Sequence, residues 1–275
     1  MNRRPPAREI DGSGTARARC VLAPNPSVMT LDGTNTWVVA EPAAETAVVI
    51  DPGPAHEDHL RRVASQVAEG GRRVELILLT HGHRDHSGGA RRLAELTSAA
   101  VRALDPAHRL GEEGLTGGDV ITAAGCELRV VASPGHSADS LCFLLPADAA
   151  LLTGDTVLGR GTAVIARDGD LTDYLRTLDM LRSLAGSAAF RVLLPGHGPL
   201  LGNPVATLDY YIAHRAERLA EVEAALATGD RTVDQIVDRV YAAVDPEVRP
   251  YAAWSVRAHL AYLAERGALP PGMAF

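Results

Sequence analysis

Residues 80–89 read Thr80-His81-Gly82-His83-Arg84-Asp85-His86-Ser87-Gly88-Gly89. Three of the chain's ten histidines and one carboxylate fall within six positions here. Residues two apart on a helix point about 200° apart, and on a strand His86 faces away from His81, His83 and Asp85. Neither regular element gathers all four side chains, so the segment is expected to be a loop, with Gly82 giving backbone freedom. Residues 74–79, Val-Glu-Leu-Ile-Leu-Leu, read as a buried strand that runs into it. Residues 87–96, with Ala90, Leu93 and Leu96 at helical spacing, read as a helix that leaves it. A strand end is a usual place for a site in layered α/β proteins. Imidazole and carboxylate are zinc-type ligands, and three or four of them make a site.

Three distant segments share the same grammar. Ser133-Pro134-Gly135-His136-Ser137 follows an expected strand at 127–131, and Leu151-Leu152-Thr153-Gly154-Asp155 ends one at 149–152. Leu193-Leu194-Pro195-Gly196-His197-Gly198 ends one at 191–194. Further strands are expected at 36–39, 47–50, around Val101 and at 141–145, and helices at 59–69, 171–184 and 204–227. Gly229-Asp230 breaks the last helix, and helices at 232–243 and 250–266 follow. Many strands with few helices imply layered α/β packing, and tight turns between neighbours favour antiparallel pairs over a doubly wound parallel sheet. The expected organisation is a flexible, Pro/Arg-rich tail over 1–14, a catalytic domain over 15–228 and a small C-terminal domain over 229–275.

Composition narrows the chemistry. The 275 residues are 46% hydrophobic and 22% charged, which excludes a wholly disordered, collagenous or coiled-coil chain. The balance of 27 basic and 34 acidic side chains leaves a net charge of −7, unsuited to strong overall attraction for nucleic acid. All 27 basic residues are arginine, which removes Schiff-base lysine chemistry and a Walker-type phosphate lysine. Cys20, Cys126 and Cys142 are isolated and are expected to be buried thiols, neither a disulfide framework nor a thiolate zinc site. The polar N-terminus lacks the apolar core of a secretory signal, and no apolar run approaches the roughly 20 residues of a membrane helix. A cytoplasmic protein is therefore expected, with no membrane partner; a homo-oligomer stays open.

Together the THGHRDHSGG stretch and the later PGHS, TGD and PGHG resemble the metallo-β-lactamase superfamily. Within it, the chain resembles the β-lactamase-like protein 2 group through Asn25-Pro26, the run 29–36 (MTLDGTNT), 154–159 (GDTVLG), 195–199 (PGHGP) and 211–215 (YIAHR). The resemblance implies a four-layer αββα sandwich with a winged-helix-like C-terminal domain. It implies a first zinc held by His81, His83 and His136, a second held by Asp85, His86 and His197, and Asp155 bridging the two. Mn²⁺ or Fe²⁺ could occupy the same donors. A hydroxide between the two ions is the implied nucleophile, with Asp85 and Asp155 as its catalytic carboxylates. Asp51 could hold a ligand histidine or be a turn carboxylate. Thr34 and Asn35 could face the metals or form an Asx-turn. His56, His59 and His108 read as surface or packing histidines, and His214-Arg215 as a site of a structural ion pair.

The resemblance to β-lactamase-like protein 2 implies a metal-dependent endoribonuclease acting on single-stranded RNA. The alternative is a thioester hydrolase of the glyoxalase II or acyl-carrier type, with Arg160 or Arg167 as a substrate anchor. Iron-dependent persulfide dioxygenases share much of the ligand pattern, whereas the flavin-linked di-iron branch typically has Glu where His83 stands. In the C-terminal segment the basic residues Arg249, Arg257 and Arg266 are few, and Val256, Leu260 and Leu263 read as a core stripe. That favours a packing role there over nucleic-acid contact.

Overall fold

Among the described residues, ten strands form two five-stranded sheets. The computed structural model describes residues 7–165, 167–273 and 275. The first sheet holds β1 (Ala18–Leu22), β2 (Asn35–Val39), β3 (Thr46–Ile50), β4 (Arg73–Leu78) and β5 (Ala100–Arg102) in that spatial order. The second runs β10 (Val192–Pro195), β9 (Ala150–Gly154), β8 (Leu141–Leu145), β7 (Cys126–Ala132) and β6 (Val120–Ala123). Pairs consecutive in the chain with no α-helix between them are antiparallel. The pairs β3/β4, β4/β5 and β9/β10 are parallel, because a helix intervenes in each case.

Helices cover the outer faces. Leu60 and Val63 of α2 (Glu57–Glu69) and Leu93 of α4 (Ala90–Thr97) belong to the apolar cluster that joins both sheets through Trp37, Ile50, Leu128 and Phe143. On the far face of the second sheet, Leu144, Leu151 and Leu193 meet Tyr174 and Leu178 of α5 (Leu171–Gly186) and Leu208 of α6 (Pro204–Ala227). This is the αββα sandwich. Asp170 caps α5 and Asn203 caps α6, each accepting a backbone N–H of the first turn, with Pro204 in the first turn of α6.

The C-terminal part has its own core. Val222, Ala225 and Leu226 of α6 pack with Ile236 of α7 (Val233–Val240) and with Val256, Leu260 and Leu263 of α8 (Arg249–Glu265). A capping box, Thr232 with Gln235, starts α7. This core thus begins inside α6, upstream of the boundary expected at 228/229.

Several expectations need correction. The tail expected over 1–14 is structured from Ala7, where α1 (Ala7–Ile10) starts; residues 1–6 lie outside the described residues. Ile10 is buried in the main core and the Asp11 carboxylate accepts the Leu22 N–H, so packing overrides the polar composition. The helix expected from Ser87 divides into α3 (Arg84–Ser87) and α4 around Gly88-Gly89. Strands β1 and β6 were not foreseen. Both lie at sheet edges, where only some side chains are buried and the apolar run is short. All three cysteines are free and buried. No helix of the described residues is long and apolar enough to cross a membrane.

Two histidines away from the cluster couple the fold to pH. His59 is buried under β2 against the Thr36 hydroxyl, and His259 is buried in the C-terminal core with its Nδ1 donating to the Ser255 carbonyl. Burial, the largest cause in both, holds each imidazole neutral down to about 4. The unfolded chain binds these protons near pH 6.5, so stability is full above that value and falls as pH drops towards 4. Between pH 7 and pH 5 each histidine is expected to remove about 2 kcal/mol of unfolding free energy. Urea titrations at the two pH values check this: His59→Gln and His259→Gln should each flatten the pH dependence, and unchanged profiles would refute it.

Candidate metal centre

Each side chain of the histidine cluster sits just past a strand end. β4 delivers Thr80, His81 and His83, and the turn of α3 delivers Asp85 and His86. β7 leads to His136, β9 to Asp155 and β10 to His197. Two groups result whose donor atoms converge within 4.8 Å: His81, His83 and His136, and Asp85, His86, Asp155 and His197. All seven residues singled out in the sequence are thus brought together. Asp155 lies between the groups, with one oxygen 3.4 Å from His197 Nε2 and 3.7 Å from His136 Nε2.

The outward-facing ring nitrogens fix the tautomers. His86 Nδ1 donates to Asp51 at 2.8 Å, His136 Nδ1 to the Val164 carbonyl at 2.6 Å and His197 Nδ1 to the Gly33 carbonyl at 3.1 Å. His81 Nδ1 donates to the Thr80 hydroxyl at 3.0 Å, and His83, turned the other way, offers Nε2 to Asp168 at 3.3 Å. With those protons outside, the inward nitrogens present lone pairs to one another. His81 Nε2 and His83 Nδ1 are 3.0 Å apart, His83 Nδ1 and His136 Nε2 3.1 Å, and His86 Nε2 and His197 Nε2 3.2 Å. Facing lone pairs repel unless a proton or a cation lies between them. Two nitrogens on one tetrahedral Zn²⁺, at 2.0–2.1 Å each, lie about 3.3 Å apart. Asp155 Oδ1 is also buried without a hydrogen-bond donor. The donor set therefore fits two cations.

Charge points the same way. Burial opposes protonation of His86 and His197, but Asp155 and its neighbouring carboxylates outweigh it, lifting His197 to about 9 and His86 well above the ordinary range. Burial would raise the Asp155 carboxyl, and His197 and His86 instead hold it far below the usual carboxylate range. The second group thus demands positive charge, which a metal supplies in place of protons. In the first group burial, the largest cause, pushes His81 and His136 down, leaving neutral imidazoles.

Asp51 holds a histidine of the cluster. It sits at the end of β3 with φ 52°, buried, and its carboxylate accepts from the Thr80 N–H at 2.8 Å and the Thr80 hydroxyl at 2.7 Å as well as from His86. Thr34 and Asn35 do not line the pocket. Asn35 Nδ2 donates to the carbonyls of Pro195 at 2.9 Å and Gly198 at 2.8 Å, clamping the turn that carries His197. A Cβ on Gly196 in that turn would stand 2.6 Å from Asp155 Oδ1, so only glycine fits. His56 is exposed and His108 half-buried, as packing or surface residues are.

Arg215 is a correction. Among the described residues it has no carboxylate partner. It is 3% exposed, lies over the Tyr174 ring at 5.0 Å and donates to the Ala163 carbonyl. The next carbonyl, Val164, orients His136, so a buried cation on α6 holds the backbone that holds a histidine of the cluster. His214 stacks on Tyr210.

A cavity of about 420 Å³ opens on the two groups. His83, Asp85, His136 and Asp155 border it, with Met29, Arg84, Val164, Arg167, Asp168 and Trp254. Of the two arginines proposed as anchors, Arg167 is here, whereas Arg160 pairs with Asp32 and borders a separate groove beside Tyr210. Sequence reading missed Val164, Asp168 and Trp254, which carry no local signal of a site. A larger groove of about 710 Å³, lined by 12–19 and by Gln66, Val67, Glu69, Gly70 and Arg72 among others, touches none of the seven.

Comparison with known proteins agrees with this architecture. Residues 29–197 match the family model of the metallo-beta-lactamase superfamily, and 232–268 match the beta-lactamase associated winged helix domain. An atrochrysone carboxyl ACP thioesterase of Aspergillus fumigatus is 34% identical over 83% of this chain and 70% of its own length. A thioesterase of Emericella nidulans is 35% identical over 82% of this chain and 64% of its own. A beta-lactamase-like protein 2 homolog of Caenorhabditis elegans is 30% identical over 90% and 84%. A metallo-beta-lactamase family protein of Thermus thermophilus superposes with a TM-score of 0.76 at 23% identity, covering 91% of this chain and 94% of that one.

Elemental mass spectrometry of protein purified without added metal should find about two metal equivalents per chain, and about one in His197→Ala. One iron per chain, unchanged by the mutation, would instead mean a single-metal site without His197. Asn tolerates the left-handed backbone, so Asp51→Asn isolates the carboxylate charge and should weaken metal binding about 10–100-fold.

Proposed function

The chain belongs to the metallo-β-lactamase superfamily, and we propose that within it the chain is a metal-dependent hydrolase of thioesters. The observation that carries this is the kinship above: both of those relatives that are named for a reaction are thioesterases. In this reading His81, His83 and His136 hold one cation, Asp85, His86 and His197 the other, and Asp155 contacts both. When bound, the cations supply Lewis-acid polarisation of the carbonyl and acidify water. Zinc is our preferred identity, since five imidazoles and two carboxylates are zinc-type donors.

The chain's own residues orient and exchange protons. Asp85 and Asp155 belong to the second metal group and border the cavity, and from there they accept the proton of the attacking water. The backbone clamp of Asn35 and the Asp51–Thr80 contacts keep the ligands in place through the reaction.

The leaving group of a thioester also suits the site. A thiolate, with a parent pKa of about 8.5, departs without a proton, whereas a ribose alkoxide needs an acid or strong charge neutralisation. Among the described residues, the cavity's own histidines are both engaged through their outer nitrogens, and its cations are arginines, which do not give up protons.

Metal-loaded protein should release free thiol from acyl-CoA or acyl-glutathione, and Asp155→Ala should lower kcat/KM at least about 10³-fold. No release above a metal-stripped control would retire the thioester reading. Cleavage of unstructured RNA by the wild type and not by Asp155→Ala, without thiol release, would put the ribonuclease reading in its place.

A further inference from the structure

The cavity over the metal groups is built by both parts of the chain. Met29 comes from the loop before β2, Val164 and Arg167 from the loop between β9 and α5, and Trp254 from α8. Trp254 is half-buried, its ring set edge-on to Tyr251 at 5.3 Å and covered by the Arg167 guanidinium at 5.1 Å. α8 is docked firmly. Ala252 and Val256 are in the C-terminal core, Ala258 and Tyr262 pack against the α5/α6 cluster, and Thr172 on α5 donates to Glu265 at 3.1 Å. The indole therefore stands at the cavity on a rigid support.

Two features of this wall bear on what it takes. Met29, Val164 and Trp254 give an apolar side, and an indole offers a broad flat face to another flat group. Arg84 and Arg167 are exposed at the same cavity and, among the described residues, make no ion pair, although Asp85, Asp155 and Asp168 border it too. In a chain of net charge −7, two guanidinium groups without a carboxylate partner, one of them resting on the Trp254 ring, offset repulsion of an anionic ligand and can bind an oxyanion in bidentate fashion.

We propose that Trp254 and Arg167 form the substrate-recognition wall, and that the preferred thioester joins a flat apolar acyl group to an anionic group. This rests on the thioester reading for the bond that breaks, not for recognition. Trp254 packs on the acyl group. Arg167 binds an oxyanion, which either a carboxylate on the acyl group or a phosphate on the thiol carrier could provide.

Four probes test it on the metal-loaded full chain: the N-acetylcysteamine thioesters of acetate, 2-naphthoate and 6-carboxy-2-naphthoate, and 2-naphthoyl-CoA. Trp254→Ala should lower the ratio of kcat/KM for naphthoyl over acetyl at least tenfold, mainly through KM, and Trp254→Phe should restore most of it. Equal losses on both esters, or no rescue by Phe, would overturn the role of Trp254. Arg167→Gln should cost about tenfold on whichever probe carries the recognised anion: a loss on the 6-carboxynaphthoyl ester assigns the acyl carboxylate, and one on the CoA ester the carrier phosphate. No selective loss on either would overturn the role of Arg167. Quenching of tryptophan fluorescence by 2-naphthoate, abolished in Trp254→Phe, reads binding without turnover. Quenching with no thioester cleaved would leave the wall standing and remove the thioester reading. Cleavage with neither quenching nor Trp254 selectivity would do the reverse.

Discussion

One buried carboxylate organises the centre. Asp51, held in a left-handed conformation at the end of β3, accepts from the backbone and hydroxyl of Thr80 and from the ring of His86. Those contacts fix both ends of the histidine loop, since Thr80 immediately precedes its first ligand and His86 is its last. A non-glycine residue at positive φ costs on the order of 1 kcal/mol or more, and it persists only where the surroundings outweigh it. Here three hydrogen bonds to one side chain do so.

The rest of the geometry follows from sheet packing. The ligands beyond the loop hang from β7, β9 and β10 of the second sheet, while the loop itself leaves β4 of the first. The two groups can meet only if both sheets keep their register and spacing, so the apolar cluster joining Trp37, Ile50, Leu128 and Phe143 acts on the geometry of the histidine cluster as well as on stability. Trp37 makes the link concrete, because its ring is core while its Nε1 donates to the Pro195 carbonyl in the turn that carries His197.

Much of this was legible in the sequence because ligands and strand ends leave local marks. The cluster from His81 to His86, and the Gly-His or Gly-Asp pairs at His136, Asp155 and His197, combine residue chemistry with turn signals. Long buried strands such as β8, whose five residues are all buried, announce themselves by composition. What stayed hidden depends on pairs distant in sequence. Arg215 looks like a surface charge on a helix until Ala163 is found against it, and Trp254 looks like one more aromatic on a core helix. Asn35 as a clamp on residues 195–198 is a contact across more than 160 positions, and no periodicity encodes it. The edge strands β1 and β6 were lost for the opposite reason, since their half-buried residues resemble ordinary loop sequence.

The placement of the three cysteines has a consequence for redox chemistry. Cys20, Cys126 and Cys142 are all buried, and burial raises each thiol, that of Cys142 to about 11. Thiol–disulfide exchange needs an accessible thiolate. The three thiols are therefore poor nucleophiles towards any disulfide that reaches the protein, Cys142 included, which lies against the hydroxyls of Ser133 and Thr156. The folded chain is thus shielded from capture by small-molecule disulfides, and unfolding is what would make its sulfurs reactive.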